Sequence, residues 1–479
     1  MVADPLAELN ERVRHDLELL NFPAPEWVPP RQPELRPDGA PVLDVVVIGA
    51  GMSGLSIAAY LKLRGVSRVS TFDRNPAGFE GPWETFARMN TLRTPKHAMG
   101  PALSIPSLTP RAWFEARFGG KAWEEMSYID RQDWMAYLRW FRDALAIQVT
   151  NEAEIVDIEP LQSGRMVVTV KQSRQTQDVE TRRLVIATGY GGSGSARMPN
   201  IAAKLPRHLY AHSTDEIDLA SLAGKRIGVV GVGASSLDNA STALESGAKS
   251  VDIFVRRKQV PDTQHVRTLT HIGAMEGFGS LPLGEKLRFW DFLDTHQNPP
   301  PRHSLLRMNS AGSYVVHLDS PILDVTSDGY TLDVHTKHGR HPVDLMIFGT
   351  GFDIDQGRRP ELQRLLPHIA LLGDLEGIDA RLARKYRLQP LIESDYKFRP
   401  RVPGAVPALD NIYCVTDAAL VSHLSGVVSC GGVSPMAMQV GRSIMSSLFA
   451  EDAAQHYQRM ESYREKEFDE SEWRVAASR

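Results

Sequence analysis

The residues of this sequence that most clearly indicate a chemical function are glycines in two short turns. Residues 49–54 read GAGMSG and residues 231–236 read GVGASS, each between an apolar strand-like run and a helix-like run. In such a turn the first glycine permits a tight bend, the second lets the backbone approach a pyrophosphate, and the third lets the helix pack on the strand. The pattern predicts two dinucleotide sites, with contacts from Gly49, Gly51, Ser53 and Gly54 in the first turn and from Gly231, Gly233, Ser235 and Ser236 in the second.

The residues that end the following strand differ between the two units. The first unit ends in Asp73-Arg74, 24 residues after Gly49, where a carboxylate would accept hydrogen bonds from ribose hydroxyls. The second ends in Arg256-Arg257, and guanidinium groups pair with a 2′-phosphate that a carboxylate would repel. We therefore expect NADPH rather than NADH at the second turn. The alternative, a solvated run of basic residues, stays open.

Other patterns that would carry chemistry are missing from the sequence. The two cysteines, Cys414 and Cys430, are isolated, so neither a disulfide framework nor a CxxC redox centre is expected. There is no metal-ligand spacing, no G-x-S-x-G turn and no cluster of histidines and carboxylates at helical periodicity. We predict no metal site on these grounds.

Composition and charge are those of an ordinary globular chain. Of 479 residues 42% are hydrophobic, and 54 basic against 58 acidic residues give a net charge of −4, so neither a nucleic acid nor a membrane is an expected partner. The isolated cysteines and the charged amino terminus predict a cytoplasmic location. The expected partners are small molecules, and a homo-oligomer stays open because the proline-rich strap near the amino terminus could reach a neighbouring subunit.

The elements that must position these residues alternate between strand and helix patterns, which predicts an α/β protein with two Rossmann-like domains. Because strand-like segments return after residue 330, we expect the second domain to be inserted into the first. The expected segments are a helix and proline-rich strap (1–40), the first part of the first dinucleotide domain (41–205), the second dinucleotide domain with a small helical, substrate-side insertion at 260–312 (206–329), the second part of the first domain (330–449) and a charged tail (450–479).

Several motifs in a fixed order resemble those of the class B flavin-dependent monooxygenases, which include flavin-containing, N-hydroxylating and Baeyer–Villiger enzymes. They span residues 42–449 and comprise GAGMSG, a G-P-W step, VIATGY, KRIGVVGVGAS and FGTGFD. The resemblance implies FAD at the first turn and NADPH at the second. It further implies cofactor contacts from Trp83, Thr188, Gly189, Thr350, Gly351 and Asp417, and close approach to the flavin ring by Gly426, Gly431 and Gly432.

By the same resemblance the protein would be an NADPH- and O2-dependent flavin monooxygenase that forms a C4a-(hydro)peroxyflavin and transfers one oxygen atom to a small organic substrate. Asn90 and Arg93 fall where the family keeps polar residues over the flavin ring, so they are the candidate catalytic residues. Pro206 and His208 replace the Phe and Gly of the Baeyer–Villiger fingerprint that ends at His212, which leaves His212 with a structural role.

The broken fingerprint favours oxygenation at nitrogen, either N-hydroxylation or N-oxidation, over the other reactions of the family. Baeyer–Villiger or sulfur oxygenation on the same scaffold remains an alternative. So do a flavin-dependent NADPH reductase that does not use O2 productively and a nucleotide-binding module without catalysis.

Overall fold

The computed structural model describes residues 4–34, 42–424, 429–468 and 470–472. The strands are β1 (Leu43–Ile48), β2 (Val69–Phe72), β3 (Val149–Thr150), β4 (Ala153–Pro160), β5 (Met166–Gln172), β6 (Gln175–Ile186), β7 (Gly194–Ala196), β8 (Tyr210–His212), β9 (Arg226–Val230), β10 (Ser250–Phe254), β11 (Tyr314–His317), β12 (Asp324–Ser327), β13 (Leu332–Thr336), β14 (Gly339–Val343), β15 (Leu345–Phe348), β16 (Phe352–Ile354) and β17 (Ile412–Cys414). The α-helices are α1 (Ala7–Leu19), α2 (Met52–Leu63), α3 (Pro110–Phe118), α4 (Gly120–Glu125), α5 (Arg131–Ala144), α6 (Ala234–Glu245), α7 (Ile272–Gly277), α8 (Leu283–His296), α9 (Arg302–Ala311), α10 (Ala380–Lys385), α11 (Leu420–His423), α12 (Val433–Glu451) and α13 (Ala453–Ser462).

The first domain is built on a seven-stranded sheet in the order β3-β2-β1-β6-β5-β4, with β17 also paired to β6. β3, β2, β1, β6 and β17 run parallel, while β5 and β4 are antiparallel additions. β1 is an unbroken apolar run except for Asp44 and is buried on both faces, as expected of a central parallel strand. The carboxyl ends of β1, β2, β6 and β17 therefore meet at one edge of the sheet.

The second domain has a five-stranded, all-parallel sheet in the order β11-β10-β9-β15-β8. Helices α6 and α9 share a core with one of its faces, where Leu237 and Met308 are buried. The antiparallel sheet β12-β13-β14 covers the other face through a second core that contains Phe254, Val334 and Val343. The predicted α/β class, with one dinucleotide domain inserted into the other, is confirmed.

One predicted domain boundary is wrong. The strands between residues 330 and 348 belong to the second domain, and β15 lies between β9 and β8 in its parallel sheet. The chain returns to the first domain only after Phe348, where β16 pairs with β7 in a two-stranded ladder between the domains. A period-2 pattern identifies a strand, but it does not identify the sheet that the strand joins.

The terminal segments pack against the first domain. Trp27, in the proline-rich strap, donates from Nε1 to the carbonyl of Arg64 at 2.9 Å. Arg31 pairs with the buried carboxylate of Asp452, which Arg182 also contacts at 2.9 Å. Residues 35–41 of the strap and 473–479 of the charged tail lie outside the described residues. None of the helices in the described part of the chain is both long and apolar enough to cross a membrane.

Candidate active site

The first glycine turn joins β1 to α2 and is shaped by close packing. Gly49 has φ of 99°, and a Cβ there would lie 2.5 Å from the carbonyl oxygen of Ala187. A Cβ at Gly54 would lie 1.8 Å from the carbonyl oxygen of Gly49. Gly51, by contrast, precedes α2 with no atom outside its neighbours closer than 3.8 Å to an added Cβ, so a phosphate could approach the helix N-terminus there.

Asp73 lies directly beside this turn, as the spacing predicted. Its Oδ2 accepts from the backbone N–H of Ala50 at 2.8 Å, and its Oδ1 accepts from that of Asn75 at 2.8 Å. Burial raises the pKa of Asp73 above its usual range, although the two backbone donors act in the opposite direction. Arg74 is exposed and Ser53 is half-buried in the first turn of α2.

A cleft of about 530 Å³ opens beside the first turn. Its lining includes Ala50 of the turn, Met135 of α5, and Arg142, which pairs with the buried Glu80 at 2.8 Å. This volume falls in the range of ordinary small-molecule sites. The cleft therefore offers space for a small molecule beside the first turn.

Asp417 brings a buried carboxylate to the end of β17. The residue is 3% exposed, and its Oδ2 accepts from the N–H of Gly191 at 3.0 Å. Its Oδ1 is buried and has no hydrogen-bond partner among the described residues, and burial raises the pKa of this carboxyl group. Buried polar atoms are nearly always hydrogen-bonded. A polyhydroxylated chain such as the ribityl group of FAD fits this unsatisfied oxygen.

The burial of Trp83 follows from packing in the core as well as from its position near the first turn. Its ring meets the edge of Trp134 at a centroid distance of 6.1 Å, and its carbonyl accepts from the guanidinium of Arg131. A Cβ at Gly81 would lie 3.5 Å from Trp83 Nε1 and 3.9 Å from the Cα of Gly51. The ring therefore lies beside the predicted FAD turn, within the core.

The second turn joins β9 to α6 and uses serine where the first uses its third glycine. Ser236 Oγ donates to the carbonyl of Gly349 at 3.2 Å. A Cβ at Gly349 would lie only 2.1 Å from this Oγ, so the serine and the glycine are fitted to each other. An added Cβ at Gly233 meets no atom within 4 Å, which leaves the N-terminus of α6 open, with Ser235 exposed beside it.

The two arginines after β10 reach the same edge as the second turn. The N–H of Gly231 donates to the carbonyl of Phe254 at 3.0 Å, which places the end of β10 against the turn. Arg256 is exposed, whereas Arg257 is half-buried and donates to the carbonyl of Thr295 at 3.1 Å. A phosphate bound near this turn would meet Arg256 first.

The VIATGY and FGTGFD segments, where the chain passes between the two domains, lie side by side. Thr350 Oγ1 donates to the carbonyl of Arg197, whose own N–H donates to the carbonyl of Gly351 at 2.8 Å. Thr188 Oγ1 donates to the carbonyl of Gly192 at 3.3 Å. His212 is buried against these segments, with Nε2 3.1 Å from the carbonyl of Gly351, and burial lowers its pKa. These contacts hold the imidazole in the core, and a structural role for His212 stays a prediction.

The candidate catalytic residues lie where the two domains face each other. Asn90 has an exposed side chain, and its carbonyl accepts from the N–H of Arg131 at 2.8 Å. Arg93 forms an ion pair with Asp238, a buried residue of α6 in the other domain. The sequence pointed to Arg93 but not to its partner, because an acidic residue inside a helix pattern carries no sign of which loop it will meet.

Tyr190, which lies in the VIATGY motif, was not among the predicted site residues. It stands between two glycines with positive φ, Gly189 at 71° and Gly191 at 74°. Its ring is 53% exposed and stacks on Phe352 at a centroid distance of 6.2 Å. An exposed aromatic ring held at a domain crossing is suited to stacking on a flat ligand.

The two cysteines of the chain are buried thiols. Both are buried and free, and burial raises the pKa of Cys414 to about 11 and that of Cys430 to about 12. Neither thiol would ionise near neutral pH. Gly431 and Gly432 precede α12, while Gly426 lies outside the described residues.

Comparison with known proteins agrees with two nucleotide sites. A family model described as FAD-NAD(P)-binding matches residues 46–191. The FAD-dependent urate hydroxylase of Xanthomonas campestris pv. campestris is 34% identical over 465 residues, which is 97% of this chain and 97% of that protein. The predicted flavoprotein class, with FAD and a nicotinamide dinucleotide as cofactors, is thereby confirmed, while the preference for NADPH and the roles of individual site residues stay predictions.

Solved structures share the fold at low identity. The ornithine N-hydroxylase of Kutzneria sp. 744 matches with a TM-score of 0.65 and 18% identity, over 86% of this chain and 100% of that one. The ornithine hydroxylase from Pseudomonas aeruginosa gives 0.65 and 16%, over 85% and 100%. Together with the full-length similarity to the Xanthomonas enzyme, the two-turn architecture identifies the family: the chain belongs to the FAD-dependent hydroxylases of the class B flavin monooxygenases.

Proposed function

We propose that this protein hydroxylates urate, with FAD as its bound cofactor and with NADPH and O2 as co-substrates. The observation that carries the proposal is the 34% identity to a FAD-dependent urate hydroxylase over 97% of both chains. Similarity that runs through both domains supports a shared reaction more strongly than a shared fold does.

Two side chains near the boundary between the domains have the chemistry that a flat anion needs. Tyr190 offers an exposed aromatic face, and Arg93 offers a guanidinium that is 39% exposed. Urate is planar and anionic near neutral pH, so it would stack on the ring and accept hydrogen bonds from the guanidinium.

Arg93 contacts Oδ2 of Asp238, whereas the other contacts of this carboxylate are made at Oδ1. Asp238 Oδ1 accepts from Ser304 Oγ at 2.5 Å and lies 3.9 Å from Nη1 of Arg307. If Arg93 turns toward a ligand, the buried carboxylate keeps these two contacts. The desolvation cost that usually follows the loss of one partner in a buried pair is thereby reduced.

The residues at the two turns would hold the cofactors in place. At the first turn Asp73 and Gly51 would bind the ribose and the pyrophosphate, and Asp417 the ribityl chain. At the second turn Gly233 and Arg256 would bind the phosphates of NADPH. Bound FAD would supply the oxygen-transfer chemistry, while the protein positions it, shields it from water and orients the substrate.

The test measures three quantities in the same reaction of the FAD-loaded protein. They are NADPH oxidation, O2 uptake and loss of the added compound. We expect urate to be consumed with equal amounts of NADPH and O2, whereas xanthine, a purine of similar shape, is not consumed. If NADPH oxidation is no faster with urate than without it, and hydrogen peroxide is the only oxygen product, urate is not the substrate.

Oxygenation of an amine nitrogen is the second candidate, because the two solved structures described above are ornithine hydroxylases that share this fold. L-Ornithine therefore belongs in the same assay. Consumption of ornithine coupled to O2 uptake, with urate inert, would support this candidate. NADPH-dependent reduction of a dye without substrate-stimulated O2 uptake would favour the reductase alternative over both.

A further inference from the structure

Three side chains that commonly bind transition metals converge in the second domain, on the side where the antiparallel sheet covers the parallel one. They are Asp252 of β10, His317 of β11 and His341 of β14, and one ligand atom of each lies within 4.8 Å of the other two. His317 Nε2 is 2.7 Å from Asp252 Oδ1, and the two imidazole rings are 4.4 Å apart between centroids.

The strand registers explain why these residues meet. Phe254 pairs with His317 across β10 and β11, and Asp252 lies two residues before Phe254, so all three project from the same face. On β14, His341 alternates with Val343, which is buried in the same core as Phe254. The cluster is therefore built on three strands of a packed domain rather than on loops.

Packing also fixes the orientation of the rings. Phe254 stacks under His317 at 5.3 Å with an interplanar angle of 15°, and it meets His341 edge-on at 5.3 Å. Thr336 Oγ1 lies 3.3 Å from Nε2 of His341 and so leaves Nδ1 of that ring for an ion. A hydrogen bond to the second nitrogen of a histidine ligand is a usual feature of metal sites, because it holds the ring in one tautomer and orientation.

The donor set indicates which ion would bind. Two imidazoles and one carboxylate suit Zn²⁺ and its neighbours in the first transition series, whereas Mg²⁺ and Ca²⁺ prefer oxygen ligands alone. Typical Zn–N and Zn–O distances of about 2.0–2.2 Å would require the three ligand atoms to lie roughly 3–4 Å apart. The observed spacing needs only small side-chain movements to reach this geometry.

We propose that Asp252, His317 and His341 bind one divalent transition-metal ion of the Zn²⁺ type, which fastens the antiparallel sheet to the outer strands of the NADPH-binding domain. The side chains of His317 and Asp252 are 18% and 23% exposed, so an ion can enter from solvent and complete its coordination with water. No motif spacing in the sequence indicated this site, because 65 residues separate Asp252 from His317 and 24 separate His317 from His341.

A neighbouring pair provides a matched control. His335 Nε2 lies 3.2 Å from Asp333 Oδ2 on β13, which is also a partly buried His–Asp contact. In the part of the chain that the structure describes, this pair has no second imidazole and belongs to no group of three ligands. Loss of His335 removes a histidine from the same sheet without touching the proposed site.

The experiment measures Zn²⁺ binding to the full-length, FAD-loaded protein by equilibrium dialysis against a competing chelator, with thermal unfolding as a second readout. We expect one Zn²⁺ per chain and a raised midpoint of unfolding when Zn²⁺ is present. H317A, H341A and D252N should each weaken binding at least tenfold and remove the thermal shift, whereas H335A should retain both. FAD content and the circular dichroism of each variant show whether it has folded.

Two outcomes would overturn the proposal. One is wild-type protein that binds no Zn²⁺ in a saturable way. The other is folded H317A and H341A protein that binds Zn²⁺ as tightly as H335A does. In either case Asp252 and His317 form an ordinary hydrogen-bonded pair. The result is independent of whether urate is the substrate, because neither readout uses turnover.

Discussion

Arg93 and Asp238 form an ion pair across the boundary between the two dinucleotide domains. Arg93 belongs to the loop after Trp83, and Asp238 belongs to the helix that begins at the second glycine turn. The same contact therefore joins the region beside the predicted FAD site to the helix whose N-terminus faces the predicted NADPH site. A ligand that attracts Arg93 would change a contact that holds the domains together.

Replacing Arg93 tests its proposed role in substrate binding. We expect Arg93→Ala to raise the KM for urate about 10- to 100-fold, because a hydrogen bond to a charged group is worth about 1.5–3 kcal/mol. Arg93→Lys should recover part of the loss, since it keeps the charge but not the planar fork. Steady-state kinetics at saturating NADPH would measure the change.

The control for Arg93 is Arg111→Ala, which removes an exposed guanidinium paired with Glu115 one helical turn away. Such surface pairs contribute little, so the KM for urate should not change. Equal KM values for wild-type and Arg93→Ala protein would show that Arg93 does not bind the substrate. Its role would then be the contact between the domains.

The choice of nicotinamide cofactor should depend on Arg256. Its side chain is exposed next to the second turn, whereas Arg257 already donates to the carbonyl of Thr295. We expect Arg256→Ala to lower kcat/KM for NADPH about 10- to 100-fold and to change that for NADH much less, because only NADPH has the 2′-phosphate. Lys258→Ala, two residues further on, serves as the control. An equal decrease with both cofactors would contradict specific recognition of the phosphate.

Local rules predicted the nucleotide turns because the geometry they require is local. The positive φ of Gly49 and the contact of Gly54 with the Gly49 carbonyl both lie within one strand-turn-helix unit, and Asp73 follows from the length of that unit. Ser236 could also be predicted at the third position as a small residue. The sequence did not reveal that Ser236 pairs with Gly349, which lies 113 residues away.

Features that depend on how distant segments meet could not be predicted. The strand pattern of β13–β15 was visible, but the sheet to which these strands belong was not, so the boundary at residue 330 was wrong. Asp238 meets Arg93 across 145 residues, and Tyr190 is placed by the fold of the crossing rather than by any spacing. Active-site surroundings are assembled from such contacts, which is why the substrate was harder to infer than the cofactors.

Asp417 should control how much FAD the protein retains. Asp417→Ala removes both the buried oxygen without a partner and the acceptor for the N–H of Gly191. We expect the Kd for FAD to rise about 10- to 100-fold, because the loss of a charged acceptor costs about 1.5–3 kcal/mol. Fluorescence titration of the apoprotein with FAD would measure this change. The control is Asp410→Ala, which removes an exposed carboxylate nearby. Unchanged FAD affinity in folded Asp417→Ala protein would contradict the assignment.

His423 is a buried group whose ionisation should make the fold sensitive to acid. It is 2% exposed, its Nε2 donates to the carbonyl of Glu393 at 2.8 Å, and its ring stacks on Tyr396 at 3.7 Å. Burial lowers the pKa of His423 to about 4, against about 6.5 in an unfolded chain. The unfolded state therefore binds more protons between these values, so stability is full above about pH 6.5 and decreases as the pH falls toward about 4.

We expect His423 to account for a loss of about 2 kcal/mol in the free energy of unfolding between about pH 7.5 and about pH 5, since each pKa unit is worth about 1.4 kcal/mol. His423→Gln keeps an N–H donor for Glu393 but does not titrate, so urea unfolding of this variant should show a pH dependence smaller by that amount. His15→Gln, which changes an exposed residue of α1, should retain the wild-type dependence. If the two variants respond to acid equally, the sensitivity arises from groups other than His423.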